Sequence, residues 1–223
     1  MIEEILPESV AAAEAFTDPP GVELFPAEEA AIARAWDKRR REFTTARYCA
    51  RLALARIGVP AAPIVPGERG APGWPDGVVG SMTHCAGYRA AAVARATDVV
   101  TIGVDAEPNE PLPEGVEESV TGPAERAWLS RMDVHRPDVC WDRLVFSAKE
   151  SVYKAWFPLP RRWLDFSEAV VTVDPPAGTF TARLTVPGPV VAGAPITAFT
   201  GTWLARDGLV LTSVVLTRVG PVG

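Results

Sequence analysis

The sequence predicts an α+β fold, and two observations carry that prediction. A helical segment, Glu28–Ile57, and a second one, Asp138–Trp156, stand well apart in the chain. Each is followed by a set of short strand-like runs rather than by single strands alternating with helices, so helices and strands are segregated. The 223 residues suffice for one large domain or two small halves around a shared core.

Taken in order, residues 1–26 contain the turn signal Thr17-Asp18-Pro19-Pro20-Gly21. The first helical segment is rich in Ala, Arg, Glu and Leu and holds no Pro or Gly. Ile32 with Trp36, and Ala50 with Leu54, stand four apart and mark one face. Gly58 suits the position just past the helix and Pro60 stops it; the Thr44-Thr45 pair marks a candidate break. Residues 60–77 form a long Pro/Gly-rich loop, which points to a binding role. Val78–Thr83, Arg89–Arg95 and Val99–Asp105 read as strands, the last two as a meander around Thr97-Asp98.

Residues 106–121 read as a second, acidic and Pro-rich loop. Gly122-Pro123-Ala124-Glu125 opens a short helix with Pro near its first position. In the longer helix Leu144, Ala148, Val152 and Ala155 line the apolar face, and Pro158 and Pro160 end it. Ala169–Val173, Phe180–Thr185, Ile196–Ala205 and Leu209–Leu216 alternate as strands, the last two joined by an Asp207-Gly208 turn. The expected division is 1–105 and 106–223.

Bulk properties exclude several functions. A net charge of −6 gives no whole-chain footprint for nucleic acid. Apolar stretches are short and broken by Arg, Asp and Pro, so no membrane span is expected. The acidic start, Met1-Ile2-Glu3-Glu4, does not read as a secretory leader. Cys49, Cys85 and Cys140 are widely spaced and read as buried thiols of a cytoplasmic protein.

Asp105 and Glu107 end a buried-strand pattern and project from one face, because strand side chains alternate. Two readings fit the spacing: a solvated strand end, or a pair of hard oxygen ligands for Mg²⁺ or Mn²⁺. Glu150 and Lys154 are one helical turn apart, which fits either a surface ion pair or, given Phe146, Val152 and Trp156, a pair near the core. His84 ends a strand and suits a phosphate contact or a neutral packed histidine. His135 shows no partner spacing and is assigned no role. Lys38-Arg39-Arg40-Arg41, with Arg47 and Arg51, forms a solvated helix face or a phosphate clamp, to which Arg69 of the Pro/Gly loop adds a cation.

Together these segments resemble the 4′-phosphopantetheinyl transferases, in their larger single-chain type serving siderophore, nonribosomal peptide and polyketide synthases. The resemblance rests on Trp74-Pro75, Gly80 to His84, Ile102-Gly103-Val104-Asp105-Ala106-Glu107, Phe146 to Trp156, and the upstream Lys38 to Phe43 with Arg47. These stand in the family's order over nearly the whole chain. The resemblance implies two similar, pseudo-twofold α+β halves, each a helix on a small mainly antiparallel sheet, with the active site between them. It implies transfer of 4′-phosphopantetheine from coenzyme A to a serine of an apo acyl or peptidyl carrier domain of a polyketide, nonribosomal peptide or fatty acid synthase. Adenosine 3′,5′-bisphosphate is the by-product.

The implied roles follow the motif matches. Asp105, Glu107 and Glu150 would hold Mg²⁺ (or Mn²⁺), with Glu107 or Glu150 taking the serine proton. Lys154 would stabilise the leaving phosphate. Lys149 and His84 would contact coenzyme A phosphates, and Arg39, Arg47 and Arg69 the 3′-phosphate and adenine side. Pro66 stands where relatives can carry a lysine, and Ser151 replaces a usual Ala. Carrier recognition helices are commonly acidic, so the basic, apolar-flecked stretch Arg126, Trp128, Leu129, Arg131 and Met132, beside loop 106–121, is the expected docking surface for the carrier. A monomer is implied by the two-half architecture. A trimeric holo-acyl-carrier synthase, a different metal-dependent phosphotransferase and a silent coenzyme A- or carrier-binding regulatory paralogue are the competing readings.

Overall fold

A computed structural model describes residues 1–218, apart from the side chains of residues 133–135, which include that of His135. The architecture is α+β, with helices packed on antiparallel sheets. The elements are β1 (Ala11–Ala15), α1 (Pro26–Ala31), α2 (Asp37–Arg56), β2 (Val78–Cys85), β3 (Tyr88–Arg95), β4 (Val99–Pro108), α3 (Val116–Val120), α4 (Pro123–His135) and α5 (Trp141–Trp156). There follow β5 (Ala169–Asp174), β6 (Thr179–Leu184), the two-residue strands β7 (Val190–Val191) and β8 (Ala194–Pro195), β9 (Ala198–Arg206) and β10 (Leu209–Thr217). One sheet has the order β1-β3-β2; a larger one has the order β4-β10-β9-β6-β5.

The first helical segment is two helices, and the break lies at 32–36 rather than at Thr44-Thr45. The cause is Glu28, which is completely buried. Its carboxylate accepts from the Phe25 amide (2.9 Å), the Ile64 amide (2.8 Å) and Arg51 (3.0 Å). A buried carboxylate is tolerated only with such partners, and reaching them folds α1 back onto α2. Arg40 donates to the Ile32 carbonyl across the break (3.2 Å). Trp36, expected on the apolar face, instead stands just before α2 in an extended conformation and is 72% exposed. Gly58 takes the left-handed conformation expected of it, φ 66°.

β3 and β4 do not form the expected meander. β4 pairs with β10, placing Asp105 opposite Thr212 and Glu107 opposite Val210. β4 is therefore an edge strand, with amides left over on its other side. Those of Val104 and Ala106 donate to the Ser81 and Thr83 hydroxyls of β2, each at 3.0 Å. Two side chains thus do what a neighbouring strand's carbonyls would do, and they fasten the two sheets together.

α5 buries its predicted face, Leu144, Ala148, Val152 and Ala155, under the larger sheet. It also lies directly on β4 at Gly103. A Cβ there would sit 1.9 Å from the Ser151 carbonyl oxygen. Ser151 is buried in a hydroxyl network with Thr212 and Ser147 (2.6 and 2.9 Å). Among the described residues no helix is long and apolar enough to cross a membrane.

Candidate active site

The Gly103 contact and the Ser81/Thr83 ties set where β4 ends, and β4 carries the carboxylates. Asp105 is 4% exposed. Lys154 on α5 donates to its Oδ1 at 2.7 Å and to the Val104 carbonyl at 3.0 Å. The Thr83 hydroxyl lies 3.3 Å from the same Oδ1. Asp105 Oδ2 is buried with no partner.

Glu107 projects from the same face, and Arg143 donates to it at 3.1 Å. Burial, then the charge of Asp105, pushes the Glu107 carboxyl up to about 7 against the pull of Arg143 and Lys154. Burial also raises Glu150, with Lys154 opposing and Asp105 adding to the rise.

Beside these groups lies a cavity of about 640 Å³. Arg39, Arg47, Arg69, His84, Glu150 and Lys154 all line it. Arg39 donates to His84 Nε2 at 2.7 Å. A guanidinium can only donate, so His84 accepts there and, as a neutral ring, carries its proton on Nδ1, which faces Glu42 at 3.6 Å. Burial lowers the His84 pKa; Glu42 opposes this, and Arg39, Lys154 and Arg89 reinforce it.

Arg47 is buried, its Nε donating to the Ile64 carbonyl (3.0 Å), with its guanidinium 3.1 Å from the Phe43 ring centroid. Burial brings its pKa down to about 9, leaving it cationic at neutral pH. Arg69 stands in a left-handed turn, φ 52°, over the Trp163 ring at 5.3 Å. The long Pro/Gly loop thus supplies one wall.

Lys149 is not brought to this group. It is 3% exposed, and its ammonium donates to Val120 O (2.7 Å), Phe166 O (2.9 Å) and Glu125 (3.0 Å). An ammonium has three hydrogens, and all three are committed. Lys149 ties α5 to the start of α4; it does not face a phosphate in the cavity. The expected carrier-facing residues divide similarly. Leu129 is core, Trp128 packs edge-on against Trp141 (5.4 Å), and Met132 packs on the same cluster. Arg131 is exposed, and Arg126 donates to the Thr121 carbonyl. The loop placed around His135 is the end of α4.

Among the described residues, no three His, Cys, Asp or Glu side chains are gathered tightly enough to hold a metal ion as they stand. Lys154 and Arg143 supply positive charge beside the carboxylates. The donors nevertheless suit a hard cation: oxygens only, one of them unpartnered on Asp105, and a Glu107 whose proton affinity is raised by burial and then by the charge of Asp105.

Sequence reasoning missed Arg143, Thr83, Ser81 and Glu125. Ser81 and Thr83 carried a signal, two hydroxyls spaced i, i+2 on one strand face.

Comparisons with known proteins agree with the geometry. The family model described as 4′-phosphopantetheinyl transferase N-terminal domain matches residues 27–94, and that of the 4′-phosphopantetheinyl transferase superfamily matches 101–194. The chain is 58% identical to 4′-phosphopantetheinyl transferase Svp of Streptomyces mobaraensis, over 97% of this chain and 89% of that protein. It is 51% identical to 4′-phosphopantetheinyl transferase Npt of Nocardia iowensis (96% and 99%). It is 47% identical to 4′-phosphopantetheinyl transferase PptT of Mycobacterium tuberculosis (97% and 98%). With the motifs in order and the carboxylates, Lys154 and the basic cavity drawn together, the chain belongs to the 4′-phosphopantetheinyl transferases, enzymes that place phosphopantetheine on carrier proteins.

Proposed function

We propose that the cavity binds coenzyme A and that the adjoining carboxylates and Lys154 promote transfer of its 4′-phosphopantetheine to a serine hydroxyl of an apo carrier domain. The observation that carries this reading is the convergence of Arg39, Arg47, Arg69, His84 and Lys154 on one cavity that also exposes Glu150. Four cations suit an anionic ligand with several phosphates, and Arg's planar fork suits phosphate oxygens. Lys154, between Asp105 and the cavity, is placed to offset charge on the departing bisphosphate. His84, neutral and accepting from Arg39 at Nε2, can donate from that nitrogen only after the contact rearranges.

Asp105, Glu107 and Glu150 are the residues that would hold a divalent cation, Mg²⁺ first. When bound, it neutralises charge building on the pyrophosphate oxygens. Burial raises both carboxyls, Glu107 to about 7, which suits Glu107 to accept a proton near neutral pH; Glu150 moves in the same direction and is the other candidate acceptor. In this reading the halves 1–105 and 106–223 meet along β4. The partners are carrier domains of polyketide, nonribosomal peptide or fatty acid synthases, met by a monomer in the cytoplasm. Cys49 and Cys85, buried and pushed up to about 11 and about 12, fit that reducing setting.

The test is release of adenosine 3′,5′-bisphosphate, followed by chromatography. Release should require the enzyme, coenzyme A and an apo carrier with its serine intact. Equal release with a Ser→Ala carrier would point to hydrolysis instead of transfer.

A pH prediction follows from Glu107. Its pKa is raised to about 7, so the metal-free protein holds a proton there below that pH. A cation favours the carboxylate form and expels the proton. Adding Mg²⁺ at pH 6.5 to weakly buffered protein should therefore release protons, less at pH 8, and less in Glu107→Gln. Equal release by Glu107→Gln and wild type would remove Glu107 from the ligand set.

A further inference from the structure

Arg143 belongs to none of the motifs, yet its guanidinium makes three separate attachments. Nη1 donates to the Glu107 carboxylate (3.1 Å), Nε to the Glu110 carbonyl (2.9 Å) and Nη2 to the Pro111 carbonyl (2.8 Å). The preceding residue continues the pattern, Asp142 accepting from the Leu112 amide at 2.7 Å. Asn109 is held likewise: its side chain accepts from the Cys140 amide (2.8 Å) and donates to the Asp138 carbonyl (2.9 Å). Residues 107–112 are therefore strapped across the start of α5. A Pro-rich segment of this kind has few backbone bonds of its own, so these side chains set its path.

Neither Arg143 nor residues 107–112 line the 640 Å³ cavity. The strap thus touches Glu107 without entering the cavity wall.

We infer that Arg143 is a positioning residue: it fixes the Glu107 carboxylate and the 108–112 segment to α5 as one unit, so that the carrier side of the site and Glu107 are held in register. The carrier part of this inference rests on the function proposed above. Arginine suits this site because its three acceptors lie one to each guanidinium nitrogen, Nη1, Nε and Nη2, around a planar fork that a point-like ammonium does not present. Lysine could keep one of the three contacts.

The experiment compares wild type, Arg143→Lys and Arg143→Met in three measurements. Amide hydrogen exchange on the free protein reads the strap without any substrate: Arg143→Met should exchange faster at 109–112 while α5 and the sheets keep wild-type protection. Calorimetry with coenzyme A should show a Kd within about twofold of wild type, since the cavity is untouched. With an apo carrier, kcat should fall by about tenfold or more, the scale of one lost charge-assisted bond, with a raised KM for the carrier. Arg143→Lys should lie between the other two. Unchanged exchange at 109–112, a loss of coenzyme A affinity equal to the loss of rate, or wild-type kcat and carrier KM in Arg143→Met would each overturn the inference. Failure of the parent reading looks different: wild type would then modify no carrier, whatever the exchange shows.

Discussion

Gly103→Ala is expected to destabilise the protein by about 3 kcal/mol, the upper range for overpacking a core, and to reduce transfer severely. The added carbon would meet the Ser151 carbonyl oxygen at 1.9 Å and the Ala155 amide nitrogen at 2.7 Å. Both are backbone atoms of α5, so no side chain can swing aside; the helix must move off β4. Movement lengthens the Thr101 hydroxyl bond to the Ala155 carbonyl (2.8 Å) and the contacts of Lys154 with Val104 and Asp105. Glu150 and Lys154 ride on the same helix, so stability and activity fall together. For a chain of this length the midpoint should drop by roughly 6–12 °C. A Gly103→Ala protein with a wild-type midpoint and wild-type rate would show that α5 does not rest on β4 at this point.

Asp105→Asn should separate activity from stability. The amide keeps the shape, and its oxygen can still accept from Lys154 and Thr83. What goes is the negative charge and the unpartnered Oδ2. Stability should change by less than about 1 kcal/mol, because the amide oxygen keeps the Lys154 and Thr83 contacts and a polar atom without a partner stands at the second position in both proteins. The rate should fall by about 100-fold or more, the scale of losing one group that acts on transition-state charge. Without the neighbouring charge, Glu107 should titrate below its wild-type position near 7, which NMR of a labelled carboxyl carbon can read. A folded Asp105→Asn protein with full activity would contradict the role given to this carboxylate.

The sequence showed the parts of the fold where periodicity and punctuation agree. The apolar face of α5 and its end before Pro158 are such a case, and so are the paired acids ending β4. It hid the break between α1 and α2, because no Pro or Gly marks it; only the long-range partners of Glu28 do. It hid β1, whose Ala-rich run has little strand preference and is a strand because it pairs with β3.

Lys149 and Glu150 share a motif, but adjacent helical residues face different ways. Lys149 shares a face with Val145 and Val152, which are core, while Arg143, Ser147, Glu150 and Lys154 follow one another at helical spacing down the side that meets β4. Helical spacing alone therefore separates Lys149 from the site face and places Arg143 on it. The cavity itself was not legible, since Arg39, Arg69 and His84 come from three distant segments that only the tertiary fold brings together.

The central claim is that this cleft moves phosphopantetheine from coenzyme A to a carrier serine. Its most direct test is the intact mass of an apo carrier domain after incubation with the enzyme, coenzyme A and Mg²⁺. The carrier should gain the mass of one phosphopantetheine with wild-type enzyme, and essentially none with Asp105→Asn over the same interval. An unmodified carrier across polyketide, nonribosomal peptide and fatty acid types, with correctly folded wild-type enzyme, would contradict the account.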